Sequence, residues 1–203
     1  MNPYTLSVSY VKSSEYPSQC PSDGLPEYAF TGRSNVGKSS LINMLAGNGK
    51  LSKVSGTPGK TRLINHFLVN NRWYMVDLPG YGFAKTSKRE RKQFSSIITR
   101  YIGERECLTL LFVLIDVRHE PQSIDLAFIR QLGEHGVPFA LVFTKADKVS
   151  SREQRHHMER FRSILLETWE ELPPIFLTSS EKKTGGEEIL RYIEHVNSNL
   201  QNP

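Results

Sequence analysis

The chain has 203 residues, of which 38% are hydrophobic and 23% are charged. This composition is that of an ordinary globular protein with a core, and it excludes a disordered or fibrous chain. The net charge of +5 favours an anionic partner, although a modest positive balance also serves solubility.

The first part of the chain predicts strands around a glycine-rich loop. Alternating residue types predict a strand over 4–11, and the Pro-, Ser- and Gly-rich stretch 16–26 predicts a loop. A short apolar run at 28–30 predicts a second strand, which leads directly into the glycine-rich loop. A helix is predicted after that loop, with one face formed by Leu41, Met44 and Leu45.

The next part predicts a loop and a hairpin. Residues 51–62 have almost no apolar periodicity, so we expect a mobile loop there. Strand-like patterns at 64–69 and 73–76 are joined through Asn70 and Asn71, residues that tolerate positive φ in a tight turn. These two strands should be antiparallel.

Strands and helices alternate through the rest of the chain. The predicted elements are a helix over 85–105, a strand over 108–117, a helix over 123–134, a strand over 139–143, a helix over 151–171, a strand over 175–177 and a helix over 186–200. This alternation predicts an α/β fold. We expect a mostly parallel sheet of six or more strands, with one antiparallel hairpin and helices on both faces.

The cysteines and the apolar runs indicate the setting. Cys20 and Cys107 have no paired spacing, so we expect neither a disulfide framework nor a zinc site, and a reducing, cytoplasmic environment. Residues 1–12 lack the basic start and apolar core of a secretory signal. The longest apolar run, 108–115, is too short to span a membrane. We expect a soluble protein that forms one domain.

The glycine-rich loop fits the phosphate-binding pattern of a glycine, four residues and then Gly-Lys-Ser/Thr. Converging backbone N–H groups, the start of a helix and the Lys38 ammonium would bind phosphate, and the Ser39 hydroxyl would bind Mg²⁺. A glycine-rich turn that matches by chance is the alternative. The loop consists of Gly32, Arg33, Ser34, Asn35, Val36, Gly37, Lys38 and Ser39.

The residues after the predicted strand 139–143 select the base. An ionised Asp147 can accept two hydrogen bonds, which suits the N1–H and exocyclic amine of guanine but not adenine. Lys145 would lie along the base or support the phosphate-binding loop. A Thr-Lys-x-Asp sequence alone is more often a helix N-cap, but its place after such a loop favours base recognition. The motif is Thr144, Lys145, Ala146 and Asp147.

Two further stretches complete the expected site. Asp77 at a strand end suits a water-mediated contact with Mg²⁺, and the Gly80 amide could sense a γ-phosphate, although an ordinary Asp-x-Pro-Gly turn is the alternative. Thr61 could ligate Mg²⁺ in the triphosphate state, with Thr57 as a competitor, which would make the 51–62 loop a switch. Backbone N–H groups at Thr178, Ser179 and Ser180 could meet the guanine carbonyl, or form a simple turn.

Taken together, these motifs resemble the bacterial EngB-type GTPases of the TrmE-Era-EngA-EngB-septin group. The resemblance rests on the loop at 32–39, on Pro58-Gly59-Lys60-Thr61, on Asp77-Leu78-Pro79-Gly80-Tyr81-Gly82 and on the motif at 144–147. It implies a single Ras-like GTP-binding domain over 1–203, with an N-terminal strand and loop over 1–25 and the G domain over 26–200. It also implies a GTPase that binds GTP, GDP and Mg²⁺, and a role in large ribosomal subunit assembly and in normal cell division and septation. The nucleotide would also contact Gly59, Lys60, Thr61, Arg62, Leu63, Asp77, Leu78, Pro79 and Gly80.

One position departs from the Ras pattern. Tyr81 follows Asp77-x-x-Gly80, so no glutamine there orients the attacking water, and we expect slow intrinsic hydrolysis. The resemblance suggests that Asn35 helps to hold a K⁺ ion beside the phosphates, with Lys38 and Thr61 as the other catalytic residues. Asn35 could equally only stabilise the turn.

The segment 85–105 is strongly basic and directly follows the Asp77 to Gly82 motif. With Glu90 and Glu104 counted against its cations, it carries +5, so it could bind ribosomal RNA or a large-subunit precursor, or simply be a solvated helix face. We expect a monomer. The basic residues are Lys85, Lys88, Arg89, Arg91, Lys92, Arg100 and Arg105.

Two other functions stay open from the sequence. The chain could be a nucleotide-gated RNA-binding protein with negligible turnover until a ribosomal partner completes the site. An ATP-using P-loop enzyme is disfavoured by Asp147, because a carboxylate matches guanine and not adenine. No side chain stands out as a general base.

Overall fold

The computed structural model describes residues 6–49, 51, 63–81 and 88–201. Within them lie seven strands, which are β1 (Val8–Ser14), β2 (Glu27–Gly32), β3 (Ile64–Val69), β4 (Trp73–Asp77), β5 (Leu108–Asp116), β6 (Phe139–Thr144) and β7 (Ile175–Leu177). The α-helices there are α1 (Lys38–Leu45), α2 (Lys88–Glu104), α3 (Ser123–Glu134), α4 (Ser151–Leu166) and α5 (Gly186–Gln201). Two 3₁₀ turns cover Pro17–Gln19 and Ala146–Lys148.

The strands form one sheet in the order β1-β3-β4-β2-β5-β6-β7. β3 is antiparallel to both of its neighbours, and the other pairs are parallel. The predicted hairpin is confirmed, because Asn70 and Asn71 have φ values of 49° and 54° and connect β3 to β4. β1 adds an outer strand to this hairpin, as the N-terminal pattern predicts, and it extends to Ser14 rather than ending at residue 11.

Helices cover both faces of the sheet, as predicted, because alternate residues of each strand point to opposite sides. On β5, Leu111 and Val113 face one apolar cluster, and Phe112 and Leu114 face the other. The first cluster is closed by α2, α3 and α4, through residues that include Ile98, Tyr101, Ile129, Leu132, Phe161 and Leu165. The second is closed by α1 and α5, through Leu41, Ile42, Leu45, Ile189, Leu190 and Ile193. None of the helices in the described part of the chain is long and apolar enough to cross a bilayer.

α4 ends earlier than the pattern predicts. It begins with a capping box, in which the Ser150 hydroxyl accepts from the Glu153 amide, but it ends at Leu166 instead of residue 171. Trp169 explains the difference, because its ring packs edge-on against Phe139 and directly over Gly133, where a Cβ would lie 2.6 Å from a ring carbon. Tertiary packing of this ring outweighs the helical propensity of the last residues.

A buried charged cluster lies where β2 begins, at the end of the sheet away from the glycine-rich loop. The Glu27 carboxylate accepts hydrogen bonds from Arg105 and Tyr101, and the ring of His66 lies 3.2 Å from it. The Glu27 side chain is 1% exposed and that of Arg105 is 13% exposed. The prediction that Arg105 belongs to a basic surface is therefore wrong, because its guanidinium neutralises a core carboxylate.

Candidate functional site

The predicted site residues follow β2, β4, β6 and β7, whose carboxyl ends lie at one edge of the sheet. Lys38 contacts Asp77, and the Thr144 hydroxyl donates to the Val36 carbonyl over 2.6 Å. The Ser179 hydroxyl donates to Asp147 over 2.6 Å. These contacts bring the loops after all four strands together. This is the edge at which open α/β sheets bind ligands.

The glycine-rich loop is built for close approach of its backbone. A Cβ on Gly32 would lie 2.9 Å from the Leu114 carbonyl oxygen, so only glycine fits there. Asn35 and Gly37 have φ values of 63° and 103°, in the left-handed region that both residue types tolerate. α1 begins immediately afterwards, so its unpaired N–H groups and positive dipole end face the loop. This geometry fits a phosphate chain.

Lys38 and Asp77 form an ion pair between the loop and the end of β4. Their side chains are 10% and 2% exposed. Burial lowers the pKa of the Lys38 ammonium to about 7, while the contacting carboxylate acts in the opposite direction by favouring the charged form. The contact with Asp77 keeps the Lys38 ammonium protonated, so Lys38 supplies a positive charge to the site. Because Ser39 is the next residue of α1, a hydroxyl and a carboxylate are available here, the oxygen ligands that Mg²⁺ prefers.

Part of the predicted switch falls outside the described residues. Gly59, Lys60, Thr61 and Arg62 belong to that part, as does the alternative Mg²⁺ ligand Thr57. Leu63 is described and lies half-buried directly before β3. Among the described residues, no group of three or more His, Cys, Asp or Glu side chains could hold a metal ion. A Mg²⁺ site there would depend on hydroxyl and nucleotide oxygens in addition to Asp77.

Lys145 connects the base-selecting motif to the glycine-rich loop. Its ammonium donates to the Asn35 carbonyl over 2.5 Å and to the Asp116 carboxylate over 2.8 Å. Its backbone has φ 62°, a left-handed conformation that is uncommon for lysine. Of the two roles predicted for Lys145, support of the loop is therefore the one that its contacts fulfil.

Asp116 is a site residue that sequence reasoning missed. It ends β5, directly opposite Thr144 in the parallel pairing with β6. Burial alone would raise the pKa of its carboxyl, but hydrogen bonds from Arg118 and Lys145 outweigh this and lower the pKa to about 2. The carboxylate therefore remains charged and holds Lys145 in place. An acidic residue at the end of a buried strand was the available signal.

Asp147 lies in the 3₁₀ turn that follows Lys145. Its side chain is 6% exposed and 3.0 Å from the Lys148 ammonium. The Ser179 hydroxyl and the Lys148 contact lower the pKa of the Asp147 carboxyl, so it is ionised at neutral pH. An ionised carboxylate in a fixed orientation is what recognition of two guanine N–H groups requires. The Ala146 amide donates to the Thr178 carbonyl over 3.1 Å and joins this turn to the end of β7.

The residues after β7 act differently from the prediction. The Thr178 amide donates to the Phe143 carbonyl and the Ser179 amide to the Thr184 carbonyl, over 2.7 and 3.1 Å. Both N–H groups are already used inside the protein, so the expectation that they meet a guanine carbonyl is wrong for these two residues. Ser180 stays a candidate for that contact. Ser179 instead contributes its hydroxyl, which orients Asp147.

The segment after Asp77 continues beside the end of β2. The Leu78 amide donates to the Phe30 carbonyl over 3.0 Å, and the Thr31 hydroxyl donates to the Pro79 carbonyl over 2.9 Å. The Tyr81 amide donates to the Gly32 carbonyl over 3.2 Å. Both chain neighbours of Gly80, Pro79 and Tyr81, are thus hydrogen-bonded to β2, the strand that leads into the glycine-rich loop.

Sequence comparison relates the chain to GTP-binding proteins. Residues 27–145 match the protein family described as 50S ribosome-binding GTPase. A protein of Phocaeicola vulgatus named "Probable GTP-binding protein EngB" is 57% identical over 97% of this chain and 98% of its own length. A protein of the same name from Porphyromonas gingivalis is 57% identical over 95% of this chain and 96% of its own.

Solved structures agree with the predicted α/β, Ras-like fold. The crystal structure of a probable GTP-binding protein engB matches with a TM-score of 0.63 at 24% identity, over 85% of this chain and 99% of that one. A variant of Aquifex aeolicus Era bound to GDP and AlF4⁻ matches with a TM-score of 0.67 at 23% identity, over 83% of this chain and 56% of that one. At these identities the likeness concerns the fold, and the predicted fold class is confirmed.

Proposed function

This chain belongs to the EngB family of GTP-binding proteins, and from that premise we propose that it works as a GTP-dependent molecular switch on the large ribosomal subunit. It is a GTPase by membership of that family. We place its action in the cytoplasm, as a monomer, during assembly of the subunit. Normal cell division and septation would depend on this step.

The observation that carries the proposal is the convergence of phosphate-binding and base-selecting residues at one edge of the sheet. Lys38 and Asp77 meet on the phosphate side, and Lys145 bonds to the backbone of Asn35 in the same loop. Asp147 lies two residues further along from Lys145, with its carboxylate held by Ser179. A nucleoside triphosphate with guanine as its base satisfies both halves of this arrangement.

On the phosphate side, we propose that Lys38 and the backbone N–H groups of the loop at 32–39 neutralise the phosphate oxygens. Ser39 and Asp77, together with Thr61, would hold Mg²⁺, with Asp77 acting through water. The bound ion supplies positive charge to the terminal phosphates. Lys38 and Asp77 would then position the phosphates rather than react covalently.

We also propose that Asn35 helps to hold K⁺ beside the phosphates. Its left-handed φ of 63° gives the loop a sharp turn, and its side chain is exposed rather than engaged in the core. If the proposal is correct, GTP turnover is higher in KCl than in NaCl at equal ionic strength, and Asn35→Gly, which keeps the φ, loses most of that difference. Equal turnover in the two salts would mean that Asn35 serves only the turn.

A second candidate function is supported by the position of Tyr81. The residue that would orient water in a Ras-type site is here a tyrosine with 6% exposure, and its hydroxyl donates to Asp125 in α3. It is therefore directed into the core. This favours a protein whose hydrolysis stays slow until a ribosomal partner completes the site. Single-turnover hydrolysis with and without large-subunit particles separates the two functions, since equal rates remove the need for a partner.

The proposed ribosomal contact is the basic segment 85–105 without Arg105, whose guanidinium is buried against Glu27. Lys85 lies outside the described residues, and so do the side chains of Lys88, Arg89, Arg91 and Lys92. Arg100 is half-exposed and pairs with Glu104 within the helix. The support for this contact is the family description and the charge of the segment.

We expect co-sedimentation with large-subunit particles to depend on the bound nucleotide and to weaken steeply with salt. Contact with several phosphates loses about 10³-fold or more in affinity between 50 and 200 mM salt, because counterions are released on binding. The measurement compares GDP, a non-hydrolysable GTP analogue and ATP across a KCl series. Binding that ignores the nucleotide would contradict the switch, and binding that ignores salt would contradict the basic segment.

A further inference from the structure

A buried carboxylate on α3 joins the glycine-rich loop to the segment after Asp77. Asp125 is 1% exposed, and both of its oxygens lie within 3.1 Å of the Arg33 Nε. One of these oxygens also accepts the Tyr81 hydroxyl over 2.9 Å. The ring of Tyr81 stacks on Phe128, one helical turn further along α3, with 4.3 Å between ring centroids. Arg33 and Tyr81 are in addition paired as backbone neighbours.

Tyr81 is therefore held at three points. Its amide donates to the Gly32 carbonyl, which pairs its backbone with Arg33, its hydroxyl donates to Asp125, and its ring stacks on Phe128. On the other side of Gly80, the Pro79 carbonyl accepts the Thr31 hydroxyl. Because both neighbours of Gly80 are held, the position of the Gly80 amide is set relative to the loop at 32–39.

The Asp125 carboxylate is the group that the Arg33 and Tyr81 side chains both contact. Burial raises the pKa of Asp125, and the Arg33 and Tyr81 contacts act in the opposite direction by favouring the carboxylate. Moving Tyr81 out of this position would expose an aromatic ring and remove one of these donors. These losses favour a Tyr81 that stays in place, and with it a Gly80 amide in a fixed position.

We propose that Asp125 is a positioning residue for the GTPase site, which acts through Tyr81 and Arg33 to fix the Gly80 amide for contact with the terminal phosphate of GTP. This inference rests on the proposed function, since it assumes a guanine nucleotide between the loop and Gly80. It assigns to α3 a part in telling GTP from GDP. The terminal phosphate is present only in GTP, so an error in the Gly80 position affects GTP alone.

The test is Tyr81→Phe, which removes the hydroxyl bond to Asp125 and keeps the ring on Phe128. The measured quantities are the dissociation constants of GDP and of a non-hydrolysable GTP analogue. We expect GDP affinity to stay within about twofold, and affinity for the analogue to fall about tenfold, as for loss of a hydrogen bond to a charged group. A purely structural role would weaken both nucleotides alike.

Tyr74→Phe is the matched control. The Tyr74 hydroxyl also donates to a carboxylate, that of Asp23, over 2.7 Å, but at the other end of the sheet. This control should leave the GDP-to-analogue ratio unchanged. Asp125→Ala removes the acceptor of the Tyr81 hydroxyl and should change the ratio as Tyr81→Phe does, whereas Asp125→Asn keeps an oxygen for that hydroxyl and should retain more of the ratio. This pair of variants replaces Tyr81→Phe as the test if that variant does not fold.

The outcomes are separable. If the unmodified protein binds neither GDP nor the analogue, the proposed function fails. If it binds both and the ratio in Tyr81→Phe is unchanged, Asp125 does not position Gly80. If the ratio rises in favour of the analogue, the Tyr81 contact opposes GTP binding, and the inference is overturned.

Discussion

Replacing Asp147 with asparagine is expected to weaken GTP and GDP binding by about 10³-fold or more. Guanine donates from N1–H and from its exocyclic amine, and the carboxylate accepts from both. An asparagine places an N–H group against one of these donors, so a buried hydrogen bond is lost and two donors face each other. The surroundings sharpen the effect, because Ser179 and Lys148 hold the side chain and limit its rotation.

The same variant should gain affinity for xanthosine nucleotides, which carry a carbonyl where guanine carries the amine. Competition binding with GDP, GTP, XDP and ATP measures both changes. Asp23→Asn is the control, because Asp23 lies at the opposite end of the sheet, where it accepts from Tyr74. An undiminished preference for GTP in the variant, or tight binding of ATP by the unmodified protein, would make an ATP-using enzyme the better explanation.

Replacing Arg105 with methionine is expected to lower the free energy of unfolding by about 3–5 kcal/mol, since it leaves a buried carboxylate without its cation. Arg105 also donates to the Pro21 carbonyl over 2.8 Å, which adds to the loss. Urea denaturation at pH 7 measures the change. Arg100→Met is the control, five residues earlier in α2, which ends directly before Arg105, because the pair of Arg100 with Glu104 is about half-exposed and such pairs contribute less than about 1 kcal/mol. Equal losses in the two variants would contradict the assigned role.

Acid should reduce the effect of the Arg105 variant. Burial raises the pKa of Glu27, but hydrogen bonds from His66, Arg105 and Tyr101 outweigh it, so the pKa is lowered in the folded protein. A lowered pKa contributes stability above the pKa of the unfolded chain, and that stability is lost as pH falls through the folded value. Without Arg105, Glu27 is protonated at higher pH than in the unmodified protein, so the difference in unfolding free energy should shrink as pH falls below neutrality, until Glu27 is protonated in both folded proteins.

The sequence predicted what local patterns encode. The turn at Asn70 and Asn71, the alternation of strands and helices and the phosphate-binding loop each carry their signal within a few residues. Asp116 and Asp125 escaped notice because each is a single carboxylate without a motif, and only the sheet and α3 bring them to the loop. The basic run likewise could not indicate that Arg105 turns inward.

Other differences between the predictions and the structure also arise from contacts between residues that are distant in sequence. The end of α4 depends on where the Trp169 ring finds Phe139 and Gly133, which are distant in sequence. The amides of Thr178 and Ser179 bond to the carbonyls of Phe143 and Thr184, and no local pattern in the sequence indicates these partners. Propensity and spacing describe a residue and its neighbours in the chain, whereas these outcomes depend on neighbours in space.

Because of the contacts of Lys145, the phosphate-binding and base-binding loops lose their conformational entropy when the chain folds and not when nucleotide binds. Its ammonium bonds to the Asn35 backbone and to Asp116, and its left-handed φ of 62° persists because these contacts compensate for it. All of these partners belong to the protein, so the loop for phosphate and the loop for the base are ordered together when the chain folds. Guanine nucleotide then need not supply the free energy of ordering them, and more of its interaction energy is retained as affinity.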